Sequence, residues 1–183
     1  MESTTQIYME ISLETGSLLS GDTMASGYEN RIDINSFRLQ GKAQKSTLKE
    51  VEGGVKANLN FNRVAIEKVF DRSSLLLGGM LKRKEKFTEV KISIDQQYID
   101  PKWVGKINNE SLIIYLYSGY VADIKFRTSE ANAGASITEE VSLSFYKCSV
   151  YYYAEDRDRK GELGDDYRWE PCIFEMQRKE QGS

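Results

Sequence analysis

The run Ile137-Thr-Glu-Glu-Val-Ser-Leu-Ser-Phe-Tyr-Lys-Cys-Ser-Val-Tyr-Tyr-Tyr153 decides the fold class. Val141, Leu143 and Phe145 alternate with other residues on odd positions, and Cys148, Val150 and Tyr152 then take over on even ones. A period of two belongs to a strand with one buried face, because successive side chains point to opposite sides. A change of phase inside an unbroken strand reads as a β-bulge. Bulges bend and twist sheets, so the pattern leans toward a barrel or a curled sandwich.

The same period recurs upstream. Ser111 to Arg127 is nearly continuous in β-branched and aromatic residues, and Phe87-Thr-Glu-Val-Lys-Ile-Ser-Ile94 alternates. Val55, Ala57, Leu59 and Phe61 alternate with Lys56, Asn58, Asn60 and Asn62 as a half-buried strand. Ile7, Met9, Ile11 and Leu13 form another. In Arg31-Ile-Asp-Ile-Asn35 the apolar positions are even, whereas Phe37 and Leu39 are odd, a further bulge signal. Glu14 to Asn30, Asp95 to Asn109 (with Pro101 and Trp103) and Thr128 to Ser136 read as loops. Gly41 to Gly54 is too long for a tight turn and reads as an extended, projecting hairpin.

One helix is predicted from Asp71-Arg-Ser-Ser74, with Asp71 or Ser73 as N-cap. Leu77, Met80 and Leu81 form its apolar stripe, and Lys82-Arg-Lys-Glu-Lys86 places cations at its end, where the dipole favours them. Gly78 and Gly79 each cost about 1 kcal/mol relative to Ala, so this helix should hold only by packing on the sheet. The count is six or seven strands and one helix: a mainly β chain, a small antiparallel β-barrel with a flanking helix and a projecting hairpin. Residues 1–154 form the barrel domain. Residues 155–183 hold a charged, Gly-dotted stretch from Glu155 to Asp166 and a tail in which Tyr167 to Trp169, Ile173 and Phe174 dock as a last strand.

The 183 residues suffice for one well-buried domain and are few for two. Lys and Arg total 25 against 28 Asp and Glu, a formal charge of −3. That balance gives no global electrostatic case for nucleic acid or an anionic membrane. The chain has no histidine, which removes Ser-His and Cys-His nucleophile systems and imidazole metal ligands. Its two cysteines make neither a four-ligand zinc site nor a disulfide framework, and a reducing compartment is expected. No stretch approaches the ~20 apolar residues that span a bilayer. Met1-Glu-Ser-Thr-Thr5 lacks the features of a signal peptide, so cytoplasmic folding is expected.

Acid–base work without histidine needs paired carboxylates, Lys or Tyr. Glu139 and Glu140 are strand neighbours on opposite faces, and Asp22, Asp33, Asp95 and Asp123 occur singly; all read as solvated surface groups. Gly53-Gly54 and Gly78-Gly79 fit no phosphate-binding frame. Tyr115, Tyr117, Tyr120 and Tyr151 to Tyr153 could stack bases, but no basic groove interleaves with them and aromatic residues are ordinary strand formers. Cys148 reads as inert core. No catalytic, cofactor or metal residue is identified, and the long strands with a projecting hairpin point instead to contact with copies of the same chain.

From Ile7 to Tyr153 the order of these features resembles the Hcp proteins, which form the tube of the bacterial type VI secretion system. Ile7-Tyr-Met-Glu-Ile11 is similar to the family's first strand and Arg31 to Leu39 to its second. Leu59-Asn-Phe-Asn-Arg63 and Phe70-Asp-Arg-Ser-Ser74 with Leu76-Leu77 resemble the passage through an x-D-x-S-[ST] turn into the single helix. Ile66-Glu-Lys-Val69 looks like a lengthened connection. Ile137 to Tyr146 resembles the family's T-E-x-V-x-L-x-F strand.

The resemblance implies a barrel with one flanking helix, six copies in a ring, and rings stacked into a tube inside a contractile sheath. Contraction would expel the tube with its spike and with effectors, some carried in the lumen, which allows secretion without a signal peptide. Baseplate, sheath and spike proteins are the implied partners, with no nucleic acid and no membrane insertion. Gly41 to Val55 corresponds to the extended loop that helps rings stack, with Lys45, Leu48, Val51, Gly53 and Gly54 as candidate contacts. A phage-tail or injection-particle tube, a stand-alone β-barrel binding module and an enzyme are the alternatives, in falling order of support.

Overall fold

The seven residues Ile32–Arg38 lie at both ends of one sheet. In the computed structural model, which describes residues 4–25, 27–44, 58–61, 63–97, 110–131, 134–152 and 172–177, they form two short strands, β2 (Ile32–Ile34) and β3 (Ser36–Arg38). The others are β1 (Thr4–Leu13), β4 (Gly41–Gln44), β5 (Asn58–Phe61), β6 (Val64–Val69), β7 (Lys86–Gln97), β8 (Glu110–Ala131), β9 (Gly134–Tyr152) and β10 (Cys172–Gln177), with the helix α1 (Arg72–Arg83) between β6 and β7. The main sheet runs β2-β1-β7-β8-β9-β6-β3, antiparallel throughout, with β10 also paired to β9. Because its first and last strands are joined through Asn35, the sheet curls back on itself into a nearly closed barrel. The Asn35 N–H donates to the Glu67 carbonyl at 2.7 Å across the closure.

The phase change at Asn35 is therefore a change of partner rather than the expected bulge in a continuous strand. Ile32 and Ile34 face the core beside β1, and Phe37 then packs against it beside β6. The phase change in β9 is real but belongs to a corner that crosses several strands. Phe145 and Cys148 are both buried. Opposite them β8 turns at Ser118, a left-handed residue with φ 52°, and the β1–β7 register slips beside Thr88. The β8–β9 register itself slips further on, between Val121 and Asp123. The corner lets Gly119 approach so closely that a Cβ there would overlap the Ser144 carbonyl and the Phe87 ring.

Three other expectations need correction. Val64–Val69 is a strand between β3 and β9, not a connection. Thr128–Ala131 and Gly134–Ser136 extend β8 and β9 into a long hairpin instead of forming a loop; their small and polar residues gave no apolar alternation. The expected Val55–Phe61 strand is present over Asn58–Phe61, its described part, and pairs with β4 in a separate two-stranded ribbon. Ten strands, not six or seven, result among the described residues. The last strand contains Ile173 and Phe174, as expected, while Tyr167 to Trp169 lie outside the described residues.

The core gathers Met9, Ile11, Val64, Ile66, Val90, Ile92, Leu116, Val141 and Leu143 from the sheet with Leu77 and Met80 from α1. Cys148 joins it, and burial pushes its thiol up to about 11, leaving it protonated at neutral pH. The Glu14–Asn30 loop closes over the other face of β1, where the Tyr8 and Tyr28 rings stack at 4.0 Å.

The glycines give a paired prediction. Gly119→Ala should destabilise the fold by at least about 1–3 kcal/mol through overpacking. Gly78→Ala should stabilise it by about 1 kcal/mol, since a Cβ at this helical position meets nothing within 4 Å. Urea unfolding of the two variants checks both signs.

Candidate assembly surface

Cross-strand register places the inward side chains of β6, β9 and β8 in rows. Val64, Leu143 and Val121 form one row, and Ile66, Val141 and Ile124 the next. Both belong to the apolar core. Lys68, Glu139 and Phe126 make the third row, and Ile137 with Thr128 begin the fourth, beside Phe70. The core thus ends on an ion pair.

Lys68 Nζ lies 2.9 Å from Glu139 Oε1, and both side chains are 0% exposed. The ammonium also donates to the Val69 carbonyl at 2.8 Å, Asp71 Oδ1 at 2.7 Å and Ser74 Oγ at 3.0 Å. Ser74 Oγ in turn donates to Glu139 Oε1 at 2.7 Å. Asp71 caps α1 as expected, in a capping box with Ser74: its carboxylate accepts from the Ser74 N–H, and its own N–H donates to Ser74 Oγ. One network therefore ties β6, the helix start and β9 together. Burial raises the Asp71 pKa, but hydrogen bonds from Lys68 and Ser73 and the Lys68 charge outweigh it and hold the carboxyl below its ordinary 3.8. Glu139 Oε2 is buried with no hydrogen-bond partner among the described residues.

Glu139 is thus core-facing, not a solvated surface group. Its odd position, in phase with Val141 and Leu143, carried that signal. Asp95 is also buried. Asp22 and Asp123 pair with Arg72 and Lys125 nearer the surface.

Beyond the ionic row the inward face turns apolar again and, among the described residues, is uncovered. Phe70, Phe126 and Ile137 are 40%, 58% and 47% exposed. With Arg127 and Thr128 they line an open depression of about 400 Å³. The Phe70 N–H donates to the Ile137 carbonyl at 2.9 Å, and the two phenyl rings lie 6.0 Å apart. The opposite face of this hairpin is polar, with Lys125 between Asp123 at 3.4 Å and Glu140 at 3.6 Å.

On another part of β8 and β9 the structure brings together Tyr115, Tyr117 and Tyr151. Tyr115 is 6.0 Å from Tyr117 and 5.6 Å, edge-on, from Tyr151. Lys147 lies over Tyr117 at 5.7 Å. Burial, with the nearby Tyr151 and Glu89, raises the Tyr117 pKa. Tyr120 and Tyr152 do not join this cluster and are exposed. The basic run divides as a helix end: Lys82 and Arg83 in the last turn, Lys84 as a left-handed cap, and Lys86 opening β7.

The hairpin candidates Lys45, Leu48, Val51, Gly53 and Gly54 lie outside the described residues. Their stem is described: β4 and β5 pair from Gly41 opposite Phe61 to Gln44 opposite Asn58, and with no other strand among the described residues. Among those residues no three His, Cys, Asp or Glu side chains gather as for a metal, and no helix is long and apolar enough to cross a membrane.

A nearly closed antiparallel barrel with one capping helix and a separate two-stranded ribbon defines a class of small β-barrel domain. The family model for the type VI secretion system effector Hcp matches residues 8–152, and the chain belongs to the Hcp family. The fold is similar to Hcp1 from Salmonella typhimurium, with TM-score 0.66 and 18% identity over 94% of each chain. It is similar to the secreted protein Hcp3 from Pseudomonas aeruginosa, with TM-score 0.64 and 16% identity over 96% of this chain and 99% of that one. It also resembles a type VI secretion system effector from Yersinia pestis, with TM-score 0.63 and 13% identity over 93% and 98%. No curated protein matches the sequence. Membership of this family makes the chain a structural component of the type VI secretion tube.

Two predictions follow from the ion network. Lys68→Met or Glu139→Leu alone should each cost about 3–5 kcal/mol, because each removes one member of a buried ion pair, while the double variant should cost less than the sum of the two. Denaturant unfolding of the cycle measures this. The folded Asp71 pKa lies below the unfolded one, so its contribution is full above pH about 4 and is lost as pH falls through the folded value. Asp71→Asn, which retains a capping acceptor, should therefore flatten the acid limb of the stability curve.

Proposed function

We propose that rings of this chain stack through the hairpin carried by β4 and β5, with Lys45, Leu48, Val51, Gly53 and Gly54 at the contact. The observation that supports this reading is the ribbon's separation from the main sheet. A two-stranded ribbon is marginally stable alone, and contact with the next ring would hold it. In this reading residues 1–154 are the tube-building domain and 155–183 an appended tail. The chain folds in the cytoplasm, is propelled by sheath contraction, and meets sheath, baseplate and spike proteins, with effectors in the lumen. Its role is structural, with no reaction of its own.

Solution mass by light scattering should give a species near six times 20.9 kDa. Leu48→Asp with Val51→Asp should reduce tube formation in electron micrographs while leaving ring mass and melting temperature unchanged, since a loop tip rarely holds a core. A collapsed melting temperature would refute the assignment of these residues to a projecting tip.

A further inference from the structure

We infer that Lys82, Lys84 and Lys86, at the turn from α1 into β7, form a docking surface for a short acidic segment of another protein, flanked by the exposed Tyr120 ring. The run Lys82-Arg-Lys-Glu-Lys86 carries four cations and one carboxylate in a chain of net charge −3. Arg83 takes up that carboxylate: its Nη2 lies 2.7 Å and its Nε 3.2 Å from Glu85 Oε2. Its guanidinium rests over Gly79, where a Cβ would come within 3.0 Å of it. Lys82, Lys84 and Lys86 are exposed and make no ion pair among the described residues. The helix does not need them as caps, because its end is closed by backbone. The Lys84 N–H donates to the Leu81 carbonyl at 3.3 Å and the Glu85 N–H to the Met80 carbonyl at 3.0 Å. The macrodipole favours Lys82 in the last turn but accounts for neither of the other two. Lys84 is left-handed, φ 53° and ψ 36°, at a position where glycine is usual and a side chain is strained. Lys86 lies past the helix and pairs with Tyr120 across β7 and β8, so the two side chains share a face. Tyr120 is 44% exposed. A residue held in a costly conformation that the fold does not require points to a use outside the fold.

Charge selects the partner. With its cations gathered here, the rest of the chain is more acidic than the total of −3 indicates. A long polyanion or an anionic bilayer would meet that repelling remainder as well as the lysines, whereas a short run of Asp or Glu meets the lysines alone. An apolar residue beside those carboxylates rests on the Tyr120 ring. Within this chain the acidic stretch is Glu155 to Asp166, and its six carboxylates are interspersed with Arg157, Arg159 and Lys160. It departs from β9 at Tyr152, eight residues of strand beyond Ser144, which lies opposite Tyr120 in the Lys86 row. About 26 Å of strand thus separate it from the lysines, so the observations favour a separate molecule.

Fluorescence anisotropy of a labelled decaglutamate peptide, titrated at low salt with the full chain, tests the surface. The parent should bind, and the variant carrying Lys82→Gln, Lys84→Gln and Lys86→Gln should bind about tenfold more weakly or worse. Because all three lysines are exposed, that variant should melt within about 3 °C of the parent. Lys84→Gly should melt about 2–4 °C higher, through relief of the left-handed lysine, and still bind less well than the parent. Equal binding by the parent and the triple variant overturns the surface. No binding by the parent also overturns it; a fall in the triple variant's melting temperature at low salt would then assign the lysines to the chain's own Glu155–Asp166. A single-stranded oligonucleotide of equal charge that binds more tightly than the peptide overturns the choice of partner.

Discussion

A curled antiparallel sheet stays curled only if its two edges are held together, and here the hold is covalent as well as hydrogen-bonded. Ile32–Ile34 pairs with β1 at one edge, Ser36–Arg38 pairs with β6 at the other, and Asn35 joins them. The edges cannot separate without breaking ladders on both sides of a single residue. The same closure sets the positions of everything discussed above: it brings β6 beside β9, so that Lys68 meets Glu139, and it aims the chain after β6 into the helix that covers the core.

The ion pair marks the place where the core ends. Charges buried without company cost several kcal/mol, yet this ammonium has four oxygen acceptors around it, and one of its partners caps the helix. An apolar pair in this row would merge the core with the exposed phenylalanines beyond. The ionic row instead separates two apolar regions, one buried and one exposed, and its directional hydrogen bonds specify the β6–α1–β9 geometry more narrowly than apolar contacts would.

Much of this was legible in sequence because strands buried on one face announce themselves by period. Ile7 to Leu13, Phe87 to Ile94 and Val141 to Tyr152 did so, and Asp71 or Ser73 as N-cap marked the helix start. What period could not report was a strand whose inward position holds a charge: Val64, Ile66 and Lys68 are in phase, but a lysine reads as an outward residue unless its partner is known. The same blindness hid Glu139. The hairpin tip around 128–136 failed for another reason, because strands that project beyond the core need no alternation to form. A changed partner and a bulge also give identical phase flips, and only the pairing around Asn35 and Ser118 separates them. The stacking loop was reached through resemblance, not through pattern.

The division at the ionic row bears on how a tube subunit can both fold alone and assemble. A subunit whose core ran uninterrupted into its interface would expose a large apolar surface whenever it was single, and would risk collapse onto the wrong partner. Here the apolar surface marked by Phe70, Phe126 and Ile137 rests on a hydrogen-bonded network and sits on a hairpin whose other face is charged. The single chain can therefore remain folded with that face bare. Closure of the sheet makes the subunit, and the ionic row limits its core.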